Sequence, residues 1–243
     1  MNEIYERYLE SHFIRANIPS KEAFENAARC YLNWYDPYLP KNKDARILDF
    51  GCGMGHFLYF LNKMGYSNFI GIDISPQQVA FVRKYITNNV ILADGFDFLK
   101  EAIRRREHFD IIVLNDVIEH IPKVKILELL KLILNTLKPG GKVFIKTGNM
   151  WNPFNLGIRY IDFTHETGFT ENSLYQVLYT AGFRKIHVFG AREPCGRGIK
   201  AGIVRLINSS FHNIMRSIFR ILLIPPPKIL DKNIIAIGEK PSE

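Results

Sequence analysis

The stretch ILDFGCGMGHFL, residues 47–58, runs from an apolar strand pattern into three alternate glycines and then into a helix pattern. Glycine lets a backbone turn sharply and lets a ligand approach without a Cβ in between, so the stretch predicts a cofactor-binding loop. A dinucleotide fingerprint requires its third glycine three positions after the second, where this chain has His56. The third glycine is Gly55 instead, which disfavours NAD as the ligand.

Short apolar runs alternate with longer amphipathic stretches from residue 46 onward. Between most of the runs lie helical patterns such as 122–137, where apolar residues recur every three or four positions. The alternation is typical of βαβ units, in which helices cover both faces of a parallel sheet. The runs are 47–50, 69–72, 90–92, 109–114, 142–146, 185–189 and 234–237. They predict an α/β fold with a doubly wound, mostly parallel seven-stranded sheet.

Segments of different character flank and interrupt this pattern. Residues 1–44 carry aromatic and apolar side chains at helical spacing, which predicts two helices that form an N-terminal helical cap. Residues 191–232 separate the last two strand patterns and predict a helical insert before the last strand. The core domain then comprises residues 45–190 and 233–243. Within it, residues 147–168 are rich in Asn, Gly, Pro and aromatics, which predicts a long loop at a strand end, where sites are commonly built.

The composition indicates one cytoplasmic domain. The 243 residues are 47% hydrophobic and 23% charged, enough for one sizeable core. The first residues lack the basic start and apolar run of a secretory signal, and no apolar run approaches the roughly 20 residues that span a bilayer. The three cysteines (Cys30, Cys52 and Cys195) are scattered and show no disulfide or zinc-site spacing. We therefore expect reduced thiols and no membrane span.

The formal net charge is +8, and most of the excess lies in the insert, which carries eight bases and two acids. One stripe of the predicted insert helix is apolar: Ile203, Ile207, Phe211, Ile214, Ile218 and Leu222. The opposing stripe holds Arg205, Ser209, His212, Arg216 and Arg220. Such a helix could make peripheral contact with anionic lipid at the inner membrane surface through 201–224. The favoured alternative is that the apolar stripe packs on the domain or on a second subunit of a homodimer, with the arginines solvated.

Asp49 followed by the alternate glycines resembles the first motif of the class I, Rossmann-like S-adenosylmethionine-dependent methyltransferases. The resemblance covers residues 45–190 and 233–239, and it implies S-adenosylmethionine as the cofactor. Asp73 matches the acid that accepts hydrogen bonds from both ribose hydroxyls, and Asp94 matches the residue that meets the adenine amino group. Residues 109–122 resemble the family's fourth strand and its loop, and residues 137–141 resemble the turn before the fifth strand. Each motif alone is quite often only a turn or a helix cap, but five in the expected order favour the family. The implied cofactor-binding residues are Asp49, Gly51, Cys52, Gly53, Gly55, Asp73, Ile74, Asp94, Gly95 and Asn115.

Methyl transfer from a sulfonium is an in-line displacement, so the protein mainly aligns the acceptor and excludes water. An alcohol acceptor also needs a base, and His165 is the predicted one because imidazole titrates near neutrality. Asp162, which we also predict to be catalytic, or Glu166 could orient its ring and raise its basicity. Tyr160, Glu166 and His120 are the predicted substrate contacts. The alternative for His165 is a structural role, as a cap of the next helix or as an anchor of its loop.

A metal site has some support because Asp162, His165 and Glu166 are close in sequence. No second carboxylate cluster can be placed beside them from the sequence, so we predict no metal.

The segment around His165 is similar to a bacterial subgroup of these methyltransferases associated with cell-surface sugars. That similarity implies O-methylation of a sugar, nucleotide sugar or related phosphorylated small molecule in surface polysaccharide or capsule biosynthesis. An RNA methyltransferase is one alternative, suggested by the charge, but residues 115–118 read NDVI and lack the Asp/Asn-Pro-Pro-aromatic signature of enzymes acting on base amines. We therefore expect no nucleic-acid partner. The other alternative, a non-catalytic cofactor-binding scaffold, is disfavoured by the intact motif residues.

Overall fold

The computed structural model describes residues 19–193 and 199–242. Its centre is a seven-stranded sheet in the order β3-β2-β1-β4-β5-β7-β6. Strand β7 runs antiparallel to both of its neighbours, and the other pairs are parallel. The strands are β1 Ile47–Phe50, β2 Phe69–Asp73, β3 Val90–Leu92, β4 Phe109–Asn115, β5 Leu137–Gly148, β6 Arg184–Gly190 and β7 Asn233–Glu239. This topology confirms the predicted α/β fold.

Helices cover both faces of the sheet. They are α1 Lys21–Tyr35, α2 His56–Lys63, α3 Pro76–Tyr85, α4 Gly95–Arg104, α5 Ile126–Thr136, α6 Leu156–Ile161, α7 Glu171–Ala181 and α8 Ile199–Ile221. Alternate side chains of β4 point to opposite faces, as the two-residue period of a strand requires. Ile112 and Leu114 join the core under α4, α5 and α7, whereas Ile111 and Val113 join the core under α1, α2 and α3. The central strand β4 is therefore buried on both sides of the sheet.

The N-terminal cap contains α1, whose first turn is capped by Ser20: its hydroxyl accepts a hydrogen bond from the Ala23 amide at 3.1 Å. The helix lies against α2, and Phe24 stacks on His56 with ring centroids 4.3 Å apart. The second helix predicted within residues 1–44 lies outside the described residues. The part of the cap that is described thus closes over the glycine loop.

The segment after β5 is more ordered than the predicted loop, since it contains a short 3-10 helix, Pro153–Asn155, and α6. Its asparagines bind the chain that leads into β7. The Asn149 amide donates to the carbonyls of Ile229 and Asp231, both at 3.0 Å, and the Asn152 amide donates to the Leu230 carbonyl at 2.8 Å. These bonds hold the segment against the sheet edge.

The predicted insert helix is present as α8, but only part of its apolar stripe packs on the domain. Ile203, Ile207, Ile214 and Ile218 are exposed, so these four members of the stripe do not pack on the domain. Phe211 and Phe219 face the domain instead, with ring contacts to Phe154 at 5.5 Å and Trp151 at 5.8 Å. On the stripe expected to be solvated, Arg216 is half-buried, and its guanidinium donates to the Lys228 carbonyl at 2.8 Å. Packing on the domain is thus made by Phe211 of the predicted stripe together with Phe219, and packing of the four isoleucines on a second subunit stays a prediction.

Among the helices described, none combines the length and apolar character that crossing a membrane requires.

Candidate functional site

The carboxyl ends of β1, β2 and β4 meet at the glycine loop. Gly51, Gly53 and Gly55 have φ of +71°, +54° and +81°, a region that disfavours side chains. A Cβ on Gly51 would lie 2.7 Å from Val117 Cγ2. The amides of Gly51 and Cys52 both donate to the Ile72 carbonyl at 2.9 Å, which ties the loop to β2. The loop therefore has one compact shape that only glycine permits at position 51.

Asp73, at the end of β2, faces this loop. One carboxylate oxygen accepts a hydrogen bond from the Gly53 amide and the other accepts one from the Ser75 amide, both at 2.8 Å. Burial raises the pKa of Asp73, and the backbone hydrogen bonds oppose part of that rise. Because each carboxylate oxygen can accept more than one hydrogen bond, Asp73 can still bind two ribose hydroxyls.

Asp49 and Asn115 carry buried polar atoms that lack a hydrogen-bond partner in the described part of the chain: Asp49 Oδ2 and Asn115 Nδ2. Burial, with a smaller contribution from the negative charge of Asp73, raises the pKa of Asp49 to about 8. The side-chain oxygen of Asn115, Oδ1, accepts a hydrogen bond from the Tyr35 hydroxyl at 2.6 Å. Unpaired buried groups are costly and uncommon. The orphaned carboxylate suits the cationic, amino-acid end of S-adenosylmethionine, so the residues present fit this cofactor.

The adenine-side residues are arranged more simply. One oxygen of Asp94 caps α4 by accepting hydrogen bonds from the amides of Phe96 at 2.9 Å and Asp97 at 3.1 Å. Asp94 therefore acts as a helix cap, which was the alternative given for an acid in such a motif. The second oxygen of this exposed carboxylate does not take part in the cap. A Cβ on Gly95 would lie 2.1 Å from the Phe50 ring, so packing demands glycine there. Ile74 is 44% exposed and offers an apolar surface beside Asp73.

A second cleft lies beyond the ends of β4 and β5. Its lining includes Glu119, Thr147, Arg159, His165 and Thr167. The Glu119 carbonyl accepts hydrogen bonds from the amides of Glu166 at 2.7 Å and Thr167 at 3.1 Å. The Arg159 guanidinium donates to the carbonyls of His165 and Glu166. These backbone contacts hold the loop that carries His165 against the turn that follows β4.

Three polar side chains converge at this cleft: Glu119 and His165 line it, and His120 lies beside them. Their nearest ligand-type atoms all lie within 4.8 Å of one another, and the two imidazole centroids are 4.7 Å apart. Burial raises the pKa of Glu119 to about 8, and the charge of Asp116 adds to the rise. Burial lowers the pKa of His120 to about 4, with a further contribution from His165. The cleft thus gathers a buried acid and two imidazoles in one place.

Asp162 is buried and acts within this group through Thr164. Its carboxylate accepts hydrogen bonds from the Thr164 hydroxyl at 2.7 Å and the Thr164 amide at 2.9 Å. The same hydroxyl lies 2.8 Å from His120 Nδ1. The structure therefore links Asp162 to His120 through one side chain. The predicted role of Asp162 in orienting His165 stays a prediction.

The fold brings the predicted residues His120, Asp162 and His165 together. Tyr160 is 74% exposed, and Glu166 is also exposed in the same segment. Their contact with substrate stays a prediction. The sequence analysis assigned no role to Glu119, Thr164, Arg159 or Tyr35. Glu119 is the acid just before His120 in the turn after β4, which is the signal that could have identified it; the other three are recognisable only from tertiary contacts.

Comparison with known proteins gives one family. A family model described as "Methyltransferase domain" matches residues 23–188. A ubiquinone biosynthesis O-methyltransferase from Bradyrhizobium diazoefficiens is 33% identical over 114 residues, which is 46% of this chain and 44% of that protein. The chain spans about half the length of the curated relatives it matches.

Solved structures show the same fold. A SAM-dependent methyltransferase from Archaeoglobus fulgidus superposes with a TM-score of 0.68 at 23% identity, covering 94% of this chain and 98% of that one. The plantazolicin methyltransferase BpumL in complex with SAH superposes with a TM-score of 0.61 at 19% identity, covering 99% and 93%.

Proposed function

The chain belongs to the family of S-adenosylmethionine-dependent methyltransferases, and we propose that it methylates a hydroxyl oxygen of a small molecule. The predicted family, reaction class and cofactor are confirmed by the family match. The observation that carries the proposed acceptor atom is the convergence of Glu119, His120 and His165 in a cleft beyond the sheet edge that carries the cofactor loop. A hydroxyl acceptor must lose its proton as its oxygen is methylated, and an imidazole or the carboxylate of this cluster can accept that proton.

Different residues of the chain would bind the cofactor in the glycine-loop cleft and the acceptor in the cleft of Glu119 and His165. The glycine loop and Asp49 would hold the amino-acid end of the cofactor, Asp73 the ribose and Asp94 the adenine. When bound, S-adenosylmethionine supplies an electrophilic methyl group on a sulfonium. The polar cluster would receive the acceptor hydroxyl, while Arg159 keeps the His165 loop in place through its carbonyl bonds. Alignment of the acceptor and exclusion of water are then the protein's main contributions.

The identity of the acceptor is a finer proposal. The expected sugar acceptor of surface polysaccharide biosynthesis has no support among the curated relatives, which are named for ubiquinone biosynthesis. The segment that supplies His165 also exposes Phe154, Tyr160 and Phe163, which are 73%, 74% and 89% accessible. Exposed aromatic side chains beside a polar cleft favour an acceptor with an apolar part attached to its hydroxyl-bearing ring. A lipid-linked sugar and a phenol with an apolar tail both satisfy this description.

The experiment that tests this function is transfer of labelled methyl groups to a panel of acceptors. The panel contains nucleotide sugars, lipid-linked sugars, dihydroxyphenols with and without a prenyl tail, and RNA. We expect transfer to a hydroxyl of a tailed acceptor. The matched control is Asp73→Asn, which should lose transfer to every acceptor because cofactor binding is impaired. Transfer to RNA alone would replace the proposal with the RNA alternative, and cofactor binding without transfer to any member would favour the scaffold.

We also propose that the exposed stripe of α8 contacts an anionic bilayer, which would bring the enzyme to such an acceptor. Ile203, Ile207, Ile214 and Ile218 form an uncovered aliphatic stripe, and the segment that carries them is strongly basic. This combination matches interfacial helices, which bury an apolar face beside anionic headgroups.

Cosedimentation with phosphatidylglycerol vesicles tests this contact, with neutral phosphatidylcholine vesicles for comparison. We expect binding to the anionic vesicles at low salt, and loss of that binding in Ile207→Ser/Ile214→Ser. Failure to bind at low salt, or a wild-type dimer that the double variant converts to a monomer, would overturn it in favour of a homodimer interface.

A further inference from the structure

The loop that follows α6 places His165 beside Glu119 and His120, although the sequence separates them by more than 40 residues. Two hydrogen bonds to the Glu119 carbonyl, from the amides of Glu166 and Thr167, fix this approach through the backbone. One ligand-type atom from each of the three side chains lies within 4.8 Å of the other two. The grouping is thus built into the fold rather than dependent on long, mobile side chains.

The hydrogen bonds around His120 select the ring nitrogen that can donate a lone pair. An ionised carboxylate only accepts hydrogen bonds, so the Thr164 hydroxyl donates to Asp162 at 2.7 Å. The oxygen of that hydroxyl then accepts from His120 Nδ1, 2.8 Å away. With the proton on Nδ1, the lone pair of the neutral ring is on Nε2. A carboxylate-linked partner of this kind is what typically orients a metal-binding histidine.

Glu119 contributes an atom that the protein leaves unsatisfied. The residue is only 8% exposed, and its Oε2 has no hydrogen-bond partner within the described ranges. The residue also lines the cleft that His165 lines. The nearby Lys146 forms its ion pair with Asp116. A buried carboxylate with one oxygen left without a hydrogen bond, close to two imidazoles, can bind a cation that would compensate the cost of its burial.

We propose that Glu119, His120 and His165 bind a divalent transition-metal ion that coordinates the acceptor hydroxyl. The inference deepens the proposed O-methyl transfer and rests on it. Two imidazoles and one carboxylate match catalytic zinc sites, which keep an open position for water or substrate. Mg²⁺ prefers oxygen ligands, so Zn²⁺ or Mn²⁺ should bind more tightly than Mg²⁺. Coordination at about 2.1 Å requires the three side chains to close in by rotation about their torsions.

This site revises the expectation of no metal. That expectation depended on the lack of a second carboxylate cluster that could be placed beside Asp162, His165 and Glu166 from the sequence, and the fold brings Glu119 there from a distant segment. It also changes the role predicted for His165, which becomes a ligand instead of a base. The ion acts as a Lewis acid on the acceptor oxygen and lowers the pKa of its hydroxyl. The O–H bond of the acceptor breaks, and its proton passes to water. The new O–C bond forms as the methyl–sulfur bond breaks, and the electron pair of the broken bond stays on sulfur. The metal keeps its oxidation state.

The test is metal binding to chelator-treated full-length protein. Calorimetric titration with Zn²⁺ and with Mn²⁺ should show one ion per chain, and Co²⁺ should give the absorption bands of a nitrogen-containing site. Glu119→Gln and His165→Gln should each weaken Zn²⁺ binding by more than about 30-fold. His108→Gln is the matched control, because this exposed imidazole precedes β4 at the opposite sheet edge; it should bind as the wild type does.

A milder variant guards against misfolding. Thr164→Val removes only the hydroxyl between Asp162 and His120, and it should weaken Zn²⁺ binding by about 10-fold, as expected for a partner that orients a ligand. Methyl transfer that persists in excess chelator, with no ion bound in calorimetry, would overturn the metal site and leave the O-methyltransferase proposal intact. One bound ion per chain without transfer to any hydroxyl acceptor would support the site and overturn that proposed function.

Discussion

The glycine-loop cleft, for which we propose cofactor binding, and the cleft of Glu119 and His165, for which we propose acceptor binding, lie at the same edge of one sheet but are built differently. We call them the cofactor cleft and the acceptor cleft, the two halves of the proposed site. In the cofactor cleft the backbone does most of the shaping: three left-handed glycines set the loop, and amides of Gly53 and Ser75 hold both oxygens of Asp73 at 2.8 Å. In the acceptor cleft the side chains of Glu119, His120 and His165 meet from two separate segments. The cofactor half is therefore organised by backbone contacts before its ligand binds, whereas the acceptor half depends on contacts between segments that are distant in the sequence. The two halves should therefore be separable by mutation.

Asp73→Ala should have the largest effect, on the cofactor half. It removes the carboxylate for the ribose and leaves the Gly53 and Ser75 amides without their acceptor. We expect cofactor affinity to fall by more than about 100-fold, since hydrogen bonds to a charged group are each worth about 1.5–3 kcal/mol. Calorimetry with S-adenosylhomocysteine measures the change, with the exposed Asp97→Ala as the matched control. Affinity within threefold of the wild type would show that Asp73 does not hold the ribose.

His165→Gln should come next, and it should act on the acceptor half alone. Turnover should fall by about 100-fold, whether the imidazole binds the acceptor directly or through an ion. The dissociation constant of S-adenosylhomocysteine should stay within twofold, because the cofactor loop is held by its own hydrogen bonds. Steady-state kinetics together with calorimetry separate the two quantities. Equal losses in both would mean that the clefts are coupled, and unchanged turnover would assign His165 a structural role.

Asp49→Asn should change stability in a pH-dependent way. The folded protein holds the pKa of Asp49 at about 8, far above the value of about 3.9 in an unfolded chain. Between these values the folded state binds the extra proton, so the free energy of unfolding falls as pH rises. Asparagine does not titrate, and the variant should therefore gain stability over the wild type by more at pH 9 than at pH 5. Thermal unfolding at the two pH values checks this, and a gain independent of pH would contradict it.

Tyr35→Phe should have the smallest effect. It removes the hydroxyl that donates to Asn115 at 2.6 Å and leaves the ring packed against Phe144. We expect a loss of about 1 kcal/mol in the free energy of unfolding, the usual worth of one hydrogen bond. Urea unfolding measures it, with the exposed Tyr85→Phe as control. If both variants lost the same stability, the buried bond would have no special part in joining α1 to the cofactor half.

Much of the fold was predictable from short patterns. The runs 47–50 and 90–92 coincide with β1 and β3, because a short apolar run bounded by turn residues is typical of a strand; this holds even at the sheet edge, where Ile91 and Leu92 are exposed. Strand β5 is longer than its run, 142–146, since pairing with β4 and β7 extends it over polar and glycine residues. The exposure of four isoleucines of α8 was not predictable, because its aliphatic stripe is as periodic as a buried face. Hydrophobic period alone does not reveal which side of a helix meets the domain.

Local sequence determined the cofactor half: alternate glycines, and acids that directly follow apolar strands, act through backbone conformation and through hydrogen bonds to residues nearby along the chain or on the adjacent strand. Only the tertiary structure decided the acceptor half. Glu119 and His165 become neighbours because amides of the later loop bind the Glu119 carbonyl, and Asp162 acts on His120 because Thr164 lies between them. Contacts between distant segments have no characteristic residue spacing that could be recognised in the sequence, because their geometry exists only after the sheet and its loops have formed.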